Sequence, residues 1–285
     1  MTMRLGFSAW AMSTMPVRDQ ISLVHGLGYQ AIELVGGDTD ALNPMTVTDT
    51  EVRDIRRALD DSGLELPSIA CHGNLLETDP AVRAHACARV IAGMELAVRL
   101  AGPSGPPCVV TMGFGLPEQF DTHRQQIADN FAELARAGAH LGVIVALEPH
   151  VGQALDLPDR VQWVLDAVDS PNFRLNFDNS HFEVMGCDFH AYVPQLTRYA
   201  VHTHMKDQRG IAPGFEFLVP GEGTFDYAAY LPAIEKAGYN GAITVEISKM
   251  VQNRPDYDPA EVAARSYRTL TDAAKRGGVT FAPVA

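Results

Sequence analysis

Short apolar, β-branched runs alternate with longer amphipathic stretches from one end of the chain to the other. The runs cover residues 4–9, 31–35, 67–71, 108–112, 143–148, 173–178, 200–204 and 242–247. Each is too short for an average helix and is bounded by Gly, Pro or polar residues, so each predicts a strand. Between them, residues 51–62 set Val52, Ile55 and Leu59 on one helical face. Further helical stretches cover 81–101, 118–141, 157–168, 227–237 and 259–276. Pro158, Pro232 and Pro259 fall near predicted helix starts, where a missing N–H costs little. Gly28, Gly63, Gly142 and Gly238 stand just before strands, as helix-ending glycines do.

Strand followed by helix, repeated eight times within 285 residues, predicts a parallel (β/α)8 barrel filling one domain, 1–285. A doubly wound open sheet is the alternative. Against it, no GxGxxG or GxxxxGK[ST] follows the first strand. One long connection, 206–225, follows the seventh strand and is rich in Gly and Pro, which predicts a lid or a substrate-binding element.

Composition narrows the partners. The chain is 46% hydrophobic and 20% charged, in the range of soluble enzymes. With 35 acidic and 22 basic residues, a net charge of −13 and no Lys/Arg cluster, it is a poor candidate for nucleic acid. Cys71, Cys87, Cys108 and Cys187 lack CxxC spacing and sit near apolar segments, which predicts reduced, buried thiols and a cytoplasmic location. No run reaches the length of a membrane span, and the start lacks the apolar core of a signal peptide.

Glu33, His72, Glu148, Asp178, His204 and Glu246 all fall at the carboxyl ends of predicted strands, the face where a barrel builds its site. Apolar strands ending in acids need a reason, because an unpaired buried charge is expensive. Glu148, Asp178, His204 and Glu246 converging on one divalent cation supply it. Three carboxylates and an imidazole favour Mn²⁺, with Mg²⁺, Co²⁺ or Zn²⁺ as alternatives. Such an ion polarises a carbonyl and stabilises an enediolate as a proton leaves the adjacent carbon. The plainer alternative is that each acid pairs with an arginine or caps the next helix.

His150, two residues beyond Glu148, shares its face on a strand end. It is either a base at neutral pH or a group that orients Glu148. His72 is within reach of a substrate hydroxyl, or is structural. Trp10 and Phe114 are candidates for an apolar wall against a sugar ring, or for core packing. Glu33 is expected to hold water near the metal or to bond the first loop. Glu222, flanked by Gly221 and Gly223, touches substrate or shapes the lid, and the glycines permit close backbone approach. His25, His85, His123, His140 and His190 fall on helical stretches and are expected at the surface.

The segments Ala146-Leu147-Glu148-Pro149-His150, Asn176-Phe177-Asp178-Asn179-Ser180-His181, His202-Thr203-His204-Met205-Lys206-Asp207, Pro220-Gly221-Glu222-Gly223 and Val245-Glu246-Ile247 resemble the xylose isomerase-like barrels. This sugar phosphate isomerase/epimerase group includes ketose 3-epimerases, hydroxypyruvate isomerase, inosose and dehydroshikimate dehydratases, and endonuclease IV. The resemblance covers the whole chain and is strongest over 143–247. It implies Glu148, Asp178, His204 and Glu246 as metal ligands, with Glu148 and Glu246 also acting as acid and base across the substrate carbon. It implies His181 as a binder of substrate oxygen, and brings Arg209 within one position of an arginine that grips substrate. Two departures matter. Ala154 stands where ketose 3-epimerases have another glutamate, and 208–223 lacks the Asp-x-His of endonuclease IV.

The resulting expectation is a metal-dependent isomerase or epimerase acting on a small sugar-like substrate: a ketose, keto-acid or keto-polyol. The substrate is expected to be unphosphorylated, since no Gly-rich phosphate cradle is present. A lyase of the same fold, expelling a β-leaving group, is the alternative, and a non-catalytic binding barrel is the third class. A dimer or tetramer would suit such a barrel.

Overall fold

The structure, a computed structural model, describes residues 2–283. Eight parallel strands close into a ring: β1 (Arg4–Ser8), β2 (Ala31–Val35), β3 (Ser68–Ala70), β4 (Cys108–Met112), β5 (Val145–Glu148), β6 (Phe173–Asp178), β7 (Ala200–Met205) and, after an intervening hairpin, β10 (Ala242–Val245). The hairpin strands are β8 (Asp207–Ile211) and β9 (Gly214–Leu218). Closure is explicit at β1, where Gly6 pairs with Ala31 of β2 and Phe7 with Val245 of β10. That rules out the open sheet.

The surrounding helices are α1 (Val17–Gly26), α2 (Asp49–Ser62), α3 (Pro80–Arg99), α4 (Phe120–Leu141), α5 (Pro158–Val168), α6 (Asn179–Val184), α7 (Phe189–Leu196), α8 (Tyr227–Lys236), α9 (Lys249–Gln252) and α10 (Pro259–Gly277). Local chemistry sets several ends. Thr48 and Glu51 form a reciprocal capping box at the start of α2, which stops at Gly63 in the left-handed conformation. Pro158 and Pro259 stand at first-turn positions. Pro232 does not: it lies inside α8. The missing N–H frees the carbonyl of Ala228, which faces Gly277 of α10, where a β-carbon would lie 2.5 Å from that oxygen.

Several boundaries differ from the sequence reading. β1 stops at Ser8, whose hydroxyl accepts from the Trp10 amide to open a short 3-10 turn. β10 ends at Val245, so Glu246 leaves the strand tip on loop backbone. The connection after β7 is an ordered β-hairpin. Helices α1, α6, α7 and α9 were not read from the pattern: α1 has no side-chain cap, α7 contains Pro194, and α6 begins directly after the last strand residue.

A large apolar cluster fills the layer between strands and helices, with Phe7, Leu34, Ile69, Val109, Phe131 and Phe177 among its members. A smaller one joins Val35, Ala70, Cys108, Val110 and Ala146. Where bulky branched side chains usually fill a barrel's lumen, this chain sets a hydrogen-bonded buried set instead: Ser8, Glu33, Ser68, Asn176, His202 and His204. All four cysteines are free thiols; Cys71 and Cys108 are buried, but Cys87 and Cys187 are only partly so, because they lie on or beside outer helices. Among the described residues, no helix is long and apolar enough to cross a membrane.

Candidate active site

Glu148 ends β5, Asp178 ends β6, His204 sits one residue from the end of β7, and Glu246 follows β10. Adjacent positions in the ring bring one donor atom from each within 4.8 Å of the others. Glu148, Asp178 and His204 are buried, and Glu246 is 12% exposed at its side chain. Asp178 has a double role: one carboxylate oxygen accepts the Ser180 amide at 2.9 Å, capping α6, while the other faces the cluster.

The imidazole of His204 lies between carboxylates. Its Nδ1 is 2.7 Å from Glu148 and 3.7 Å from Glu246, and its Nε2 is 2.8 Å from Glu33. Burial would push its pKa down, but the charges of Glu33, Glu148 and Glu246 overcome that and raise it well above the ordinary value. Burial pushes Glu148 up, and the charge and hydrogen bond of His204, with His72 and Lys206 behind them, outweigh it and bring it down to about 2.

Lys206, in the segment His202–Asp207, is a functional residue that the sequence pattern leaves without a role. Its buried ammonium contacts Asp178 and Glu246 together. The signal was available: it stands two residues beyond His204, and a lysine among buried residues needs partners. Four carboxyl groups (Glu33, Glu148, Asp178 and Glu246) thus surround one ammonium and one imidazole. With the carboxyls ionised, two negative charges lack partners even when His204 is protonated. A divalent cation among oxygen-rich donors fits that deficit.

A cavity of about 370 Å³ opens onto the cluster, lined by Trp10, His72, Glu148, His150, His181, Lys206 and Glu246, among others. His150 donates from Nδ1 to the Val151 carbonyl at 2.8 Å, which leaves Nε2 with a free lone pair. Its ring lies 4.0 Å from that of His181. His181 accepts the Val151 amide at Nδ1, so its Nε2 carries the hydrogen, 3.5 Å from Asp178. Burial first, then His150 and Lys206, hold His181 well below the usual histidine range, so this ring is a neutral donor. His72 lies 3.9 Å from Glu148 and its Nδ1 has no partner. The indole of Trp10 carries the Lys249 ammonium 4.3 Å from its ring centre.

The hairpin covers one side of this cavity with Phe215 and Phe217, the latter edge-on to His181 at 5.0 Å. Asp207 anchors its base by accepting the amides of Gly221, Gly223 and Phe225 at 2.8–3.2 Å. A β-carbon at Gly223 would collide with that carboxylate, so glycine is required there.

Two expected substrate contacts are placed elsewhere. Arg209 lies on the outer side of the hairpin, its side chain 56% exposed and paired with Glu216 at 2.9 Å. Glu222 bonds Arg254 and Arg265, both at 2.8 Å, and ties the hairpin's base to the α9–α10 region. Neither side chain lines the cavity. Glu33 faces the lumen and accepts from Ser8 and Ser68 at 2.7 Å and from both lumen histidines. Phe114 lines a neighbouring groove of about 750 Å³ that shares Trp10, His72, Met112 and Lys249 with the cavity. His25, His85, His140 and His190 are exposed and His123 partly so.

A closed parallel barrel with an acidic, histidine-containing cluster at the carboxyl ends of its strands defines a class of proteins. The chain belongs to the xylose isomerase-like TIM barrel family, whose model matches residues 21–280. It is 28% identical over 174 residues to an inosose dehydratase of Glaesserella parasuis, covering 54% of this chain and 56% of that protein. It is 26% identical over 158 residues to an inosose isomerase of Bacillus velezensis, covering 53% and 55%. The chain thus spans little more than half the length of these relatives. A solved structure of the IolI protein with a binding zinc atom shares the fold, with a TM-score of 0.76 at 20% identity over 97% of this chain and 98% of that one.

Proposed function

We propose that this chain is a divalent-metal-dependent isomerase or epimerase that removes a proton beside the carbonyl of a small keto-sugar or keto-polyol and returns it. The observation that carries this reading is the convergence of Glu148, Asp178, His204 and Glu246 beside a cavity that Glu148 and Glu246 line, with carboxyl groups in excess of cations. The oxygen-rich donors favour Mn²⁺, and the zinc in the IolI protein supports a transition metal as an alternative. A cation held by these four residues would act as a Lewis acid toward the substrate's carbonyl and its neighbouring oxygen.

The chain's own groups supply the rest. Glu148 and Glu246 both line the cavity, which supports them as the groups that would exchange a proton with the substrate carbon. His150 offers a neutral Nε2 lone pair and is a second base. His181 offers an N–H to a substrate oxygen, and Phe215 and Phe217 keep water away. The substrate class rests on the relatives, which act on inososes by name. The free thiols suit a reducing compartment such as the cytoplasm.

A specific pairing favours elimination as the second reading. His150 could take the proton while the Lys206 ammonium gives one to a departing hydroxide, so that water leaves and a C–C double bond forms. The dehydratase relative supports it. Metal content and product mass test both. Near-stoichiometric metal is expected in the native protein and not in Glu148→Gln or His204→Ala. An isomer keeps the mass of an added inosose, and elimination lowers it by one water. A native protein that takes up no metal on loading, while still folded, would overturn the proposal.

A further inference from the structure

Glu33 is a carboxylate of this centre that neither borders the cavity nor belongs to the four-residue metal cluster. It is completely buried in the lumen, on the second strand, across the barrel from β7. Four donors from three strands converge on it: Ser8 at 2.7 Å, Ser68 at 2.7 Å, His202 at 3.2 Å and His204 at 2.8 Å. A carboxylate has about four lone-pair sites, so its acceptor capacity is filled. Among the described residues no lysine or arginine pairs with it. A buried carboxylate without a cationic side chain is costly to keep, and its contacts are all directed at holding the oxygens in place.

Its bond to His204 has a chemical consequence. Nε2 of that ring lies 2.8 and 2.9 Å from the two oxygens of Glu33, while Nδ1 looks into the cluster at Glu148 and Glu246. As a metal ligand the imidazole would be neutral and carry one hydrogen, and an acceptor at Nε2 keeps it there. The lone pair is then on Nδ1, the nitrogen that faces the other three ligands. Ring rotation is opposed as well, since a half-turn would set Cδ2 against Glu148 and Cε1 against Glu33, losing both contacts.

We infer that Glu33 is a positioning residue of the metal centre, clamped by Ser8, Ser68 and His202 so that it fixes the tautomer and orientation of the His204 imidazole. This rests on the metal-site reading above. Carboxylates behind ligand histidines typically raise metal affinity 10–100-fold.

Cobalt(II) added to the metal-stripped full-length chain is the probe. Chelator competition gives its dissociation constant, the visible absorption bands report its coordination, and melting of the metal-free protein reports folding. In Glu33→Ala we expect binding 10–100-fold weaker with altered bands, and in Glu33→Gln, which keeps an acceptor but loses the charge, an intermediate loss. The double change Ser8→Ala with Ser68→Ala keeps the carboxylate and loosens it, and a loss of a few-fold is expected. If Glu33→Ala and Glu33→Gln fold and bind cobalt within twofold of the native chain, the inference falls. If neither folds, unchanged affinity and bands in the double serine variant overturn it. A native chain that binds no cobalt overturns the metal-site reading itself, a result distinct from equal binding by native and variant chains.

Discussion

From β5 to β10 the barrel's rim carries Glu148, Asp178, His204, Lys206 and Glu246, and nearly all of them are buried. From β1 to β4 the same rim carries Trp10, Val35, His72, Met112 and Phe114, which border the larger groove, with the charged Asp38 and Arg89 at its margin. In the first half each group is fixed by opposite charges within hydrogen-bond reach. In the second the contacts are apolar or are exposed pairs such as Arg89–Asp38 at 2.7 Å, of a kind worth about 0–1 kcal/mol. Chemistry that must hold a cation demands full desolvation and reciprocal charge. A surface that selects among substrates needs shape, and can vary without disturbing the charge balance. Glu33 is the exception that joins them, since it leaves β2 and reaches His204 beneath the cavity floor.

The largest effect expected from breaking this contrast is on stability. Lys206→Met keeps the side chain's bulk and removes the ammonium between Asp178 and Glu246. Breaking a buried ion pair by removing one partner costs about 3–5 kcal/mol. Urea unfolding of the metal-free chain should show a loss of that size, and saturating Mn²⁺ should reduce it, because ligand binding to the folded state adds stability. A variant as stable as the native protein without metal would mean that the acidic half is not held by this charge balance.

The periodicity of apolar runs made the barrel legible because strand and helix patterns repeat with little interruption. Glu148, Asp178, His204 and Glu246 stood out for a related reason: each breaks an apolar run at its carboxyl end. Lys206 and Glu33 were harder. Their partners, Glu246 and His204, are 40 and 171 positions away in the chain, and the partner choice depends on how the ring closes. Arg209 shows the opposite difficulty. Its distance in sequence from His204 suggested a place beside the substrate, but the hairpin's twist and the Glu222 turn decide which side of the sheet it leaves from.

An intermediate effect is expected from Trp10→Ala, which removes a shared wall of cavity and groove. An aromatic contact is worth about 0.5–1.5 kcal/mol beyond the area it buries. The KM for the substrate identified by product analysis should therefore rise about tenfold, since 1.4 kcal/mol is one decade. Metal affinity should stay within twofold, because Trp10 touches none of the four ligands' hydrogen bonds. A parallel fall in metal affinity would show that the two halves of the rim are not separable.

The smallest effect is expected from Arg209→Ala. Its partner Glu216 is 50% exposed, and the guanidinium's other bond is to the backbone carbonyl of Glu222 at 2.7 Å. An exposed ion pair contributes about 0.2–1 kcal/mol, so the melting temperature should fall by no more than a few degrees. Asp207 still holds the hairpin through three backbone amides, and Phe217 still packs on His181, so the cavity keeps its cover. Steady-state kinetics should accordingly give KM and kcat within about twofold of native. A tenfold rise in KM with unchanged melting would carry a different lesson: the hairpin would have to turn on binding, bringing this arginine from its outer side to the substrate, and the division of the rim would then hold only for the unliganded chain.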